Sequence, residues 1–160
     1  MHGARITPSP RREDLHYHAL QSLHDYWTGL PKVEGVADVM KVDPSSITPA
    51  LGYVALLDVI DGGRDFYYSL YGSKTANVSG FDMTHKHLSE IPTTPEIVTF
   101  FRAGYMTLVT HRVPLLTVHK APDHITISWW HRLLLPLGES GEVRRLLVGI
   151  VPTRTKNAEP

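Results

Sequence analysis

The last third of the chain holds two segments that are apolar on both of their alternating faces. Residues 125–137 read ITISWWHRLLLPL, and residues 143–151 read VRRLLVGIV. Successive side chains of a β-strand point to opposite faces of its sheet, so a strand of this kind is buried on both sides. The sequence therefore predicts a sheet that is covered by a layer on each face.

The same alternation assigns the two faces of residues 125–137. We expect the odd-numbered face to point toward the helices and an internal cavity, because it is the more apolar face. Trp130 and Leu134 lie on the even-numbered face, which for that reason is not expected to be solvated. The odd-numbered positions are Ile125, Ile127, Trp129, His131, Leu133, Leu135 and Leu137.

An amphipathic segment near the N-terminus is suited to cover the even-numbered face. Between residues 13 and 30, apolar residues recur at spacings of three and four, which predicts a helix with one buried stripe. Either this stripe or a second copy of the chain covers the outer face of the sheet. We predict a homodimer on this basis, and its interface residues are Leu15, Leu23, Trp27 and Trp130.

The middle of the chain predicts a hairpin and a long helix. Residues 53–60 and 65–71 are strand-like and flank the turn sequence DGGR, which favours an antiparallel hairpin. Thr94 and Pro95 are typical of a helix start, and the amphipathic stretch that follows them runs to about His111. Shorter helical stretches are predicted after Asp43 and over 72–80 and 84–90, and a further strand over 113–120.

These elements give one fold class. We predict an α+β domain in which a five-stranded antiparallel sheet carries short helices and one long helix on one face, plus an N-terminal helix. A chain of 160 residues suits a single domain with a sizeable core. We place that domain at residues 13–152, between a flexible N-terminus (1–12) and a flexible tail (153–160).

Composition excludes several classes of function. Lys and Arg together number 16, as do Asp and Glu, and no long basic block occurs, so we predict no nucleic-acid or membrane partner. Cysteine is absent, which excludes disulfides, thiolate metal sites, a cysteine nucleophile and flavin photochemistry through a cysteine adduct. No segment reads as a signal peptide or a membrane span. We expect a cytoplasmic protein.

Six fragments, in this order along the chain, carry a resemblance to a known family. They are Asp43-Pro44, Leu57-Asp58-Val59, residues 66–72 (FYYSLYG), residues 80–84 (GFDMT), Pro114 and residues 132–137 (RLLLPL). The chain resembles a PAS domain over roughly residues 20 to 152, and is most similar to the PAS-like family of small stand-alone alphaproteobacterial proteins. The resemblance implies a bacterial sensory or regulatory module that binds a small ligand or a signalling partner. It identifies neither of them.

The chain departs from the family pattern at two positions. Ser69 stands in the second strand of the hairpin where members usually carry an arginine, and His85 stands where a glycine is usual. The role of that arginine in relatives is therefore not transferred to this chain.

The face assignment places His131 at the centre of the predicted cavity. Two interpretations remain open: His131 is a packed histidine with a structural hydrogen-bond partner, or it contacts a ligand. We predict no catalytic residue, no metal site and no identifiable cofactor. The predicted ligand-binding residues are Tyr68, Phe101, Tyr105, Thr117, Trp129 and His131.

Two other functions compete with the sensory module. The first is a small enzyme on an α+β scaffold, in which His131 and a carboxylate act on a hydrophobic substrate; it requires an ionisable pair in the cavity. The second is an interaction domain without any cavity. A non-enzymatic sensory module that acts through contact with another protein is the function that the sequence favours.

Overall fold

The computed structural model describes residues 3–127 and 129–153. In this part of the chain, nine strands form one sheet. They are β1 (Arg5–Pro8), β2 (Lys32–Val33), β3 (Val36–Asp38), β4 (Val54–Ile60), β5 (Asp65–Tyr71), β6 (Lys86–His87), β7 (Leu115–Lys120), β8 (Trp129–Glu139) and β9 (Glu142–Thr153). The helices are α1 (His18–Thr28), α2 (Ser73–Ser79) and α3 (Pro95–His111), and short 3₁₀ turns connect several elements.

The five predicted strands form the centre of the sheet. The strand order is β1-β7-β8-β9-β4-β5-β6, and β7, β8, β9, β4 and β5 pair with their neighbours in antiparallel fashion. Four short strands extend the edges, and one of them, β3, runs parallel to β8. The α+β class and the antiparallel sheet are confirmed.

The β4–β5 hairpin and α3 form where the local signals place them. The hairpin reverses over Asp61–Gly63, where Gly62 and Gly63 have φ of 68° and 107°, values that glycine adopts without strain. The side chain of Thr94 accepts a hydrogen bond from the backbone N–H of Ile97 at 3.3 Å and so caps α3. The helix ends at His111, as predicted.

The two faces of the sheet carry separate layers. On the inner face, α2 and α3 cover a core that includes Tyr68 and Tyr105. On the outer face, α1 packs its apolar stripe on the sheet, and Gly149 of β9 allows a close approach. A Cβ atom at that position would lie 2.6 Å from Cδ2 of Leu20. Each face of the central strands is covered, as the two-sided apolar pattern predicts.

The predicted assignment of the two faces of β8 is reversed. Its even-numbered residues Trp130 and Leu134 belong to the inner core, whereas the odd-numbered residues Leu133 and Leu135 pack with α1 in the outer core. The error has a physical reason, since the more apolar face lies under the aliphatic stripe of α1. The even-numbered face, which mixes apolar and polar side chains, meets α3. A cavity between the sheet and α3 accommodates its polar side chains.

The predicted interface residues are covered within one chain. Leu15, Leu23 and Trp27 are 1%, 0% and 7% exposed in the outer layer, and Trp130 is 6% exposed in the inner layer. The indole N–H of Trp27 donates to the carbonyl of Pro136 at 3.0 Å, which fixes the end of α1 to β8. These four residues therefore form no exposed interface, and a homodimer would need another surface.

The structure differs from the prediction at the N-terminus and over residues 84–90. The N-terminus is not a frayed end over its described part, because Arg5–Pro8 pairs with β7 as β1. Residues 84–90 were predicted as a helix, but they form β6 and a single 3₁₀ turn (Leu88–Glu90). Most of the predicted flexible tail, residues 154–160, lies outside the described residues.

Among the helices of the described chain, none has the length and apolar character needed to cross a membrane.

Candidate functional site: a cavity between α3 and the sheet

A cavity of about 360 Å³ lies between the N-terminal half of α3 and the inner face of the sheet. The partly exposed segment from Pro92 to Thr94 also lines it, as do Pro122, His124 and Ile125. Its walls are mostly apolar, with a few polar groups. The lining residues are Tyr68, Tyr71, Ser79, Phe81, Ile91, Pro92, Thr93, Thr94, Ile97, Phe101, His119, Pro122, His124, Ile125, Trp130, Arg132 and Ile150.

Arg132 of β8 is the fixed charge of this cavity. It is 2% exposed, and its guanidinium carbon lies 3.9 Å from the ring centre of Phe101 and 5.2 Å from that of Tyr105. Its Nη2 donates a hydrogen bond to the hydroxyl of Tyr105. The π faces and this hydroxyl stabilise the cation in part, but neither neutralises it.

The hydrogen bond from Arg132 continues to a second tyrosine. The hydroxyls of Tyr105 and Tyr68 lie 2.8 Å apart, and both residues are buried. Burial raises the pKa of Tyr68 well above its ordinary value, and it raises that of Tyr71, the next tyrosine along β5, to about 12. Tyr68 and Tyr71 are therefore neutral at physiological pH, and neither is a counter-ion for Arg132.

His119 of β7 is the second buried polar group of the cavity wall. Its ring lies 5.5 Å from that of Phe100 and 5.2 Å from that of Phe101, measured between ring centres. Burial, together with the positive charge of Arg132, lowers the pKa of His119 to about 3. The imidazole is thus neutral near pH 7, and its Nδ1 has no hydrogen-bond partner among the described residues.

Tyr68, Phe101, Tyr105 and Thr117 lie on the inner side of the sheet, as predicted. Tyr68 and Phe101 line the cavity, and Tyr105 lies behind them with its hydroxyl on Arg132. Thr117 pairs with Arg132 across β7 and β8 and is 2% exposed, although it does not line the cavity. Their roles in ligand binding stay predictions.

Trp129 and His131 lie on the other face. Trp129 is half-buried next to Gly3, and the ring of His131 meets the ring of Tyr17 edge-on at 4.8 Å. Burial lowers the pKa of His131 to about 4, which leaves it neutral near pH 7. Neither Trp129 nor His131 reaches the cavity. This position agrees with the interpretation of His131 as a packed histidine rather than as a ligand contact. The enzyme hypothesis loses the His131 and carboxylate pair that it required in the cavity.

Sequence reasoning missed Arg132 and His119. The signal was nonetheless present, because Thr117 was assigned to the inner face and His119 lies two residues further along the same strand. In the observed register, Thr117 pairs with Arg132 and His119 pairs with Trp130, and paired residues share a face. An inward Thr117 therefore excludes an inward His131 once the register is known.

The two positions that depart from the family pattern have local roles. Ser69 accepts a hydrogen bond from Nη2 of Arg145 at 2.9 Å, and Nε of the same arginine lies 2.6 Å from Asp58. His85 has φ of 64°, a left-handed conformation in which glycine is favoured, and its Nδ1 lies 3.0 Å from the hydroxyl of Tyr67. Neither residue lines the cavity.

No metal centre is evident in the described ranges, which contain no group of three or more His, Asp or Glu side chains arranged to hold an ion. The described residues that line the cavity include no Asp or Glu. The mostly apolar lining is typical of cavities that hold organic molecules.

Comparison with protein families supports the fold. A family model described as a PAS domain matches residues 15–151. This chain belongs to the PAS-domain family. The match agrees with the strand order and with the helical segment between β5 and β7, and it makes the chain a sensory module in general terms. Because the PAS domain here contains a cavity, the hypothesis of an interaction domain without one is wrong.

Comparison with individual proteins adds little to this family assignment. No curated protein matches the sequence. Among solved structures, one described as the structure of an RNA-binding light-oxygen-voltage receptor aligns with a TM-score of 0.45 at 12% identity. The alignment covers 94% of this chain, but this chain spans only 38% of the length of that one.

Proposed function

We propose that this PAS domain senses a small organic molecule, which binds in the cavity between α3 and the sheet. The cavity carries this proposal: about 360 Å³ is within the range of ligand sites, though near its lower end. Apolar walls with a few converging polar groups are typical of sites that bind small molecules and fix their orientation. The non-enzymatic character of the protein is part of the same proposal.

The position of the cavity relative to α1 suggests how binding would be relayed. Trp130 and Arg132 contact the cavity, and His131 between them contacts Tyr17 on the opposite face. Tyr17 directly precedes α1, and its hydroxyl lies 2.6 Å from Oγ1 of Thr153 at the end of β9. A shift of β8 on ligand binding would therefore reach the start of α1 and the end of the sheet. We propose that a partner protein reads this change by contact.

Native mass spectrometry of freshly purified protein tests ligand binding. We expect a co-purified small molecule on the wild-type chain and none on Ile97→Trp, because the larger side chain fills the cavity from α3. Thr99→Trp is the matched control, since Thr99 is an exposed residue of the same helix outside the cavity lining, and it should retain the molecule. Equal retention by all three chains would contradict the proposed site.

A chain that purifies without a bound molecule is tested by addition instead. A library of small aromatic and aliphatic compounds should contain members that raise the thermal midpoint of the wild type but not that of Ile97→Trp. If no compound stabilises the wild type more than the variant, the cavity is not a ligand site. The predicted homodimer is tested separately by light scattering, where it should give twice the chain mass of 17.9 kDa.

A further inference from the structure

Given the ligand-binding function proposed above, we infer that the ligand is a small organic anion. It has a single negative charge, which binds Arg132, and an apolar body. Arg132 is 2% exposed and carries a permanent charge. A buried charge is destabilising unless an opposite charge or several hydrogen bonds compensate it.

Arg132 differs in its partners from six of the other arginines. These six lie within 4.0 Å of a carboxylate: Arg11, Arg12, Arg102, Arg112, Arg144 and Arg145. In the described part of the chain, Arg132 forms no such ion pair and makes one hydrogen bond, to the hydroxyl of Tyr105. A guanidinium has five N–H donors, so most of its donor capacity is left for a group in the cavity.

Among the described residues, the walls of the cavity carry no negative charge. The lining includes Arg132 and two histidines but no Asp or Glu. Asp82, a carboxylate near Tyr71, is exposed and accepts hydrogen bonds from Thr84 instead. A ligand carboxylate would therefore enter a positive environment without repulsion, and it would supply a counter-ion that the described residues do not provide.

One charge on the ligand matches one charge in the site. His119 lines the same cavity and is neutral near pH 7, because burial lowers its pKa to about 3. Its unpartnered Nδ1 can donate a hydrogen bond in the corresponding tautomer without adding charge. Arg132 is thus the one Lys or Arg among the described lining residues, and it balances a monoanion such as a carboxylate.

The remaining walls define the rest of the ligand. Most of the other lining side chains are apolar or aromatic, and they include Phe81, Ile91, Ile97, Phe101 and Trp130. At about 30 Å³ for each water-sized group, 360 Å³ holds roughly a dozen such groups. An aromatic or short aliphatic monocarboxylate of this size fits both the volume and the character of the walls.

Two isosteric probes test the charge directly. Phenylpropionate and its neutral amide, phenylpropionamide, have nearly the same shape and differ in charge. By isothermal titration calorimetry, we expect the carboxylate to bind wild-type protein about ten- to hundred-fold more tightly than the amide. Arg132→Met should remove this preference, so that both probes bind with similar dissociation constants.

Arg145→Met is the matched control. Arg145 is a half-buried arginine of β9 that pairs with Asp58 and lies outside the cavity lining, so its loss should leave the preference for the carboxylate unchanged. Arg132→Gln is the second variant if Arg132→Met fails to fold. It removes the charge but keeps hydrogen-bonding capacity, and it should likewise equalise the two probes.

The outcomes separate this inference from the function on which it rests. Equal binding of carboxylate and amide to wild type would overturn the anion inference but leave the cavity as a ligand site. A preference that persists in Arg132→Met and Arg132→Gln would also overturn it. If neither probe binds wild type at millimolar concentration and no library compound stabilises it, both proposals fail together.

Discussion

His131 and Arg132 are consecutive residues of β8 that lie on opposite faces of the sheet. Arg132 lines the cavity under Phe101, whereas His131 contacts Tyr17 just before α1. One strand therefore lines the cavity with Arg132 and contacts, through His131, the residue that precedes the N-terminal helix. In a covered sheet of this kind, a small movement of the strand changes the packing on both faces.

The positions of His131 and Arg132 on opposite faces of β8 predict that Tyr17 transmits ligand binding in the cavity to α1. Tyr17→Leu removes the ring contact with His131 and the hydroxyl contact with Thr153, but it touches nothing in the cavity. We expect the affinity for phenylpropionate to stay within about two-fold of wild type. Ligand-induced changes in amide hydrogen exchange of α1 should be present in wild type and lost in the variant. An unchanged exchange response in Tyr17→Leu would exclude this route.

The uncompensated charge of Arg132 predicts an unusual mutational effect on stability. A buried ion that lacks a charged partner is itself destabilising, so we expect its replacement by an apolar side chain of similar volume to be neutral or stabilising. Arg132→Met should therefore keep or raise the free energy of unfolding, by up to about 2 kcal/mol. Arg145→Met, which separates a half-exposed ion pair, should lower it by about 1 kcal/mol. Urea denaturation measures both, and a loss above about 2 kcal/mol for Arg132→Met would show that the arginine is a structural group.

Covering of the outer face by α1 predicts the effect of changes at Leu23. This side chain is fully buried against the sheet in the same chain, so Leu23→Ala should lower the free energy of unfolding by about 2 to 5 kcal/mol. Leu23→Asp buries a charge there and should unfold the protein. Met40→Ala is the control, because Met40 is 78% exposed, and it should change stability by less than about 0.5 kcal/mol. A folded Leu23→Asp with altered self-association would instead indicate that α1 packs between two copies.

The two buried histidines predict a loss of stability in mild acid. Burial lowers the pKa of His119 to about 3 and of His131 to about 4, from an ordinary value of 6.5. Above pH 6.5 they are neutral in both the folded and the unfolded chain. Between pH 6.5 and about 4, the unfolded chain binds protons that the folded chain does not, so stability falls by roughly 1 kcal/mol per pH unit for each histidine.

A single variant isolates one of these contributions. His119→Asn removes one titrating group, and its free energy of unfolding should fall less steeply over the same pH range than that of wild type. Chemical denaturation at a series of pH values measures the slope. Identical slopes for wild type and His119→Asn would mean that His119 is protonated to the same extent in both states.

The left-handed conformation of His85 predicts a difference between two substitutions. His85→Gly and His85→Ala both remove the contact with Tyr67, but only alanine retains a Cβ at a φ of 64°. We expect His85→Ala to be less stable than His85→Gly by about 1 kcal/mol, because the left-handed region is unfavourable for a residue with a side chain. Thermal unfolding of the pair would detect this difference, and equal midpoints would argue against the conformation.

Local signals in the sequence were sufficient for much of the fold. The turn at Asp61–Gly63 and the cap at Thr94 depend on residues that are close together in the sequence. The β4–β5 hairpin and α3 could therefore be predicted closely. The strand at Arg5–Pro8 could not, because its partner β7 is more than a hundred residues away and its four residues carry no periodic pattern of their own.

The cavity was harder to predict for a different reason. Both faces of β8 are apolar, and apolar character shows that a face is covered without showing what covers it. The face with Leu133 and Leu135 packs under α1, while the face with Trp130 and Arg132 borders the cavity. Only the register between β7 and β8, which sets Thr117 opposite Arg132, decides between the two.

The most direct test of the cavity as a ligand site is the indole N–H region of the NMR spectrum during a titration with phenylpropionate. The chain has three tryptophans, of which Trp130 lines the cavity and Trp27 lies in the outer layer. We predict that the Trp130 signal, assigned with Trp130→Phe, moves furthest and saturates at one ligand per chain. A Trp130 signal that stays in place while calorimetry reports saturation would contradict this account.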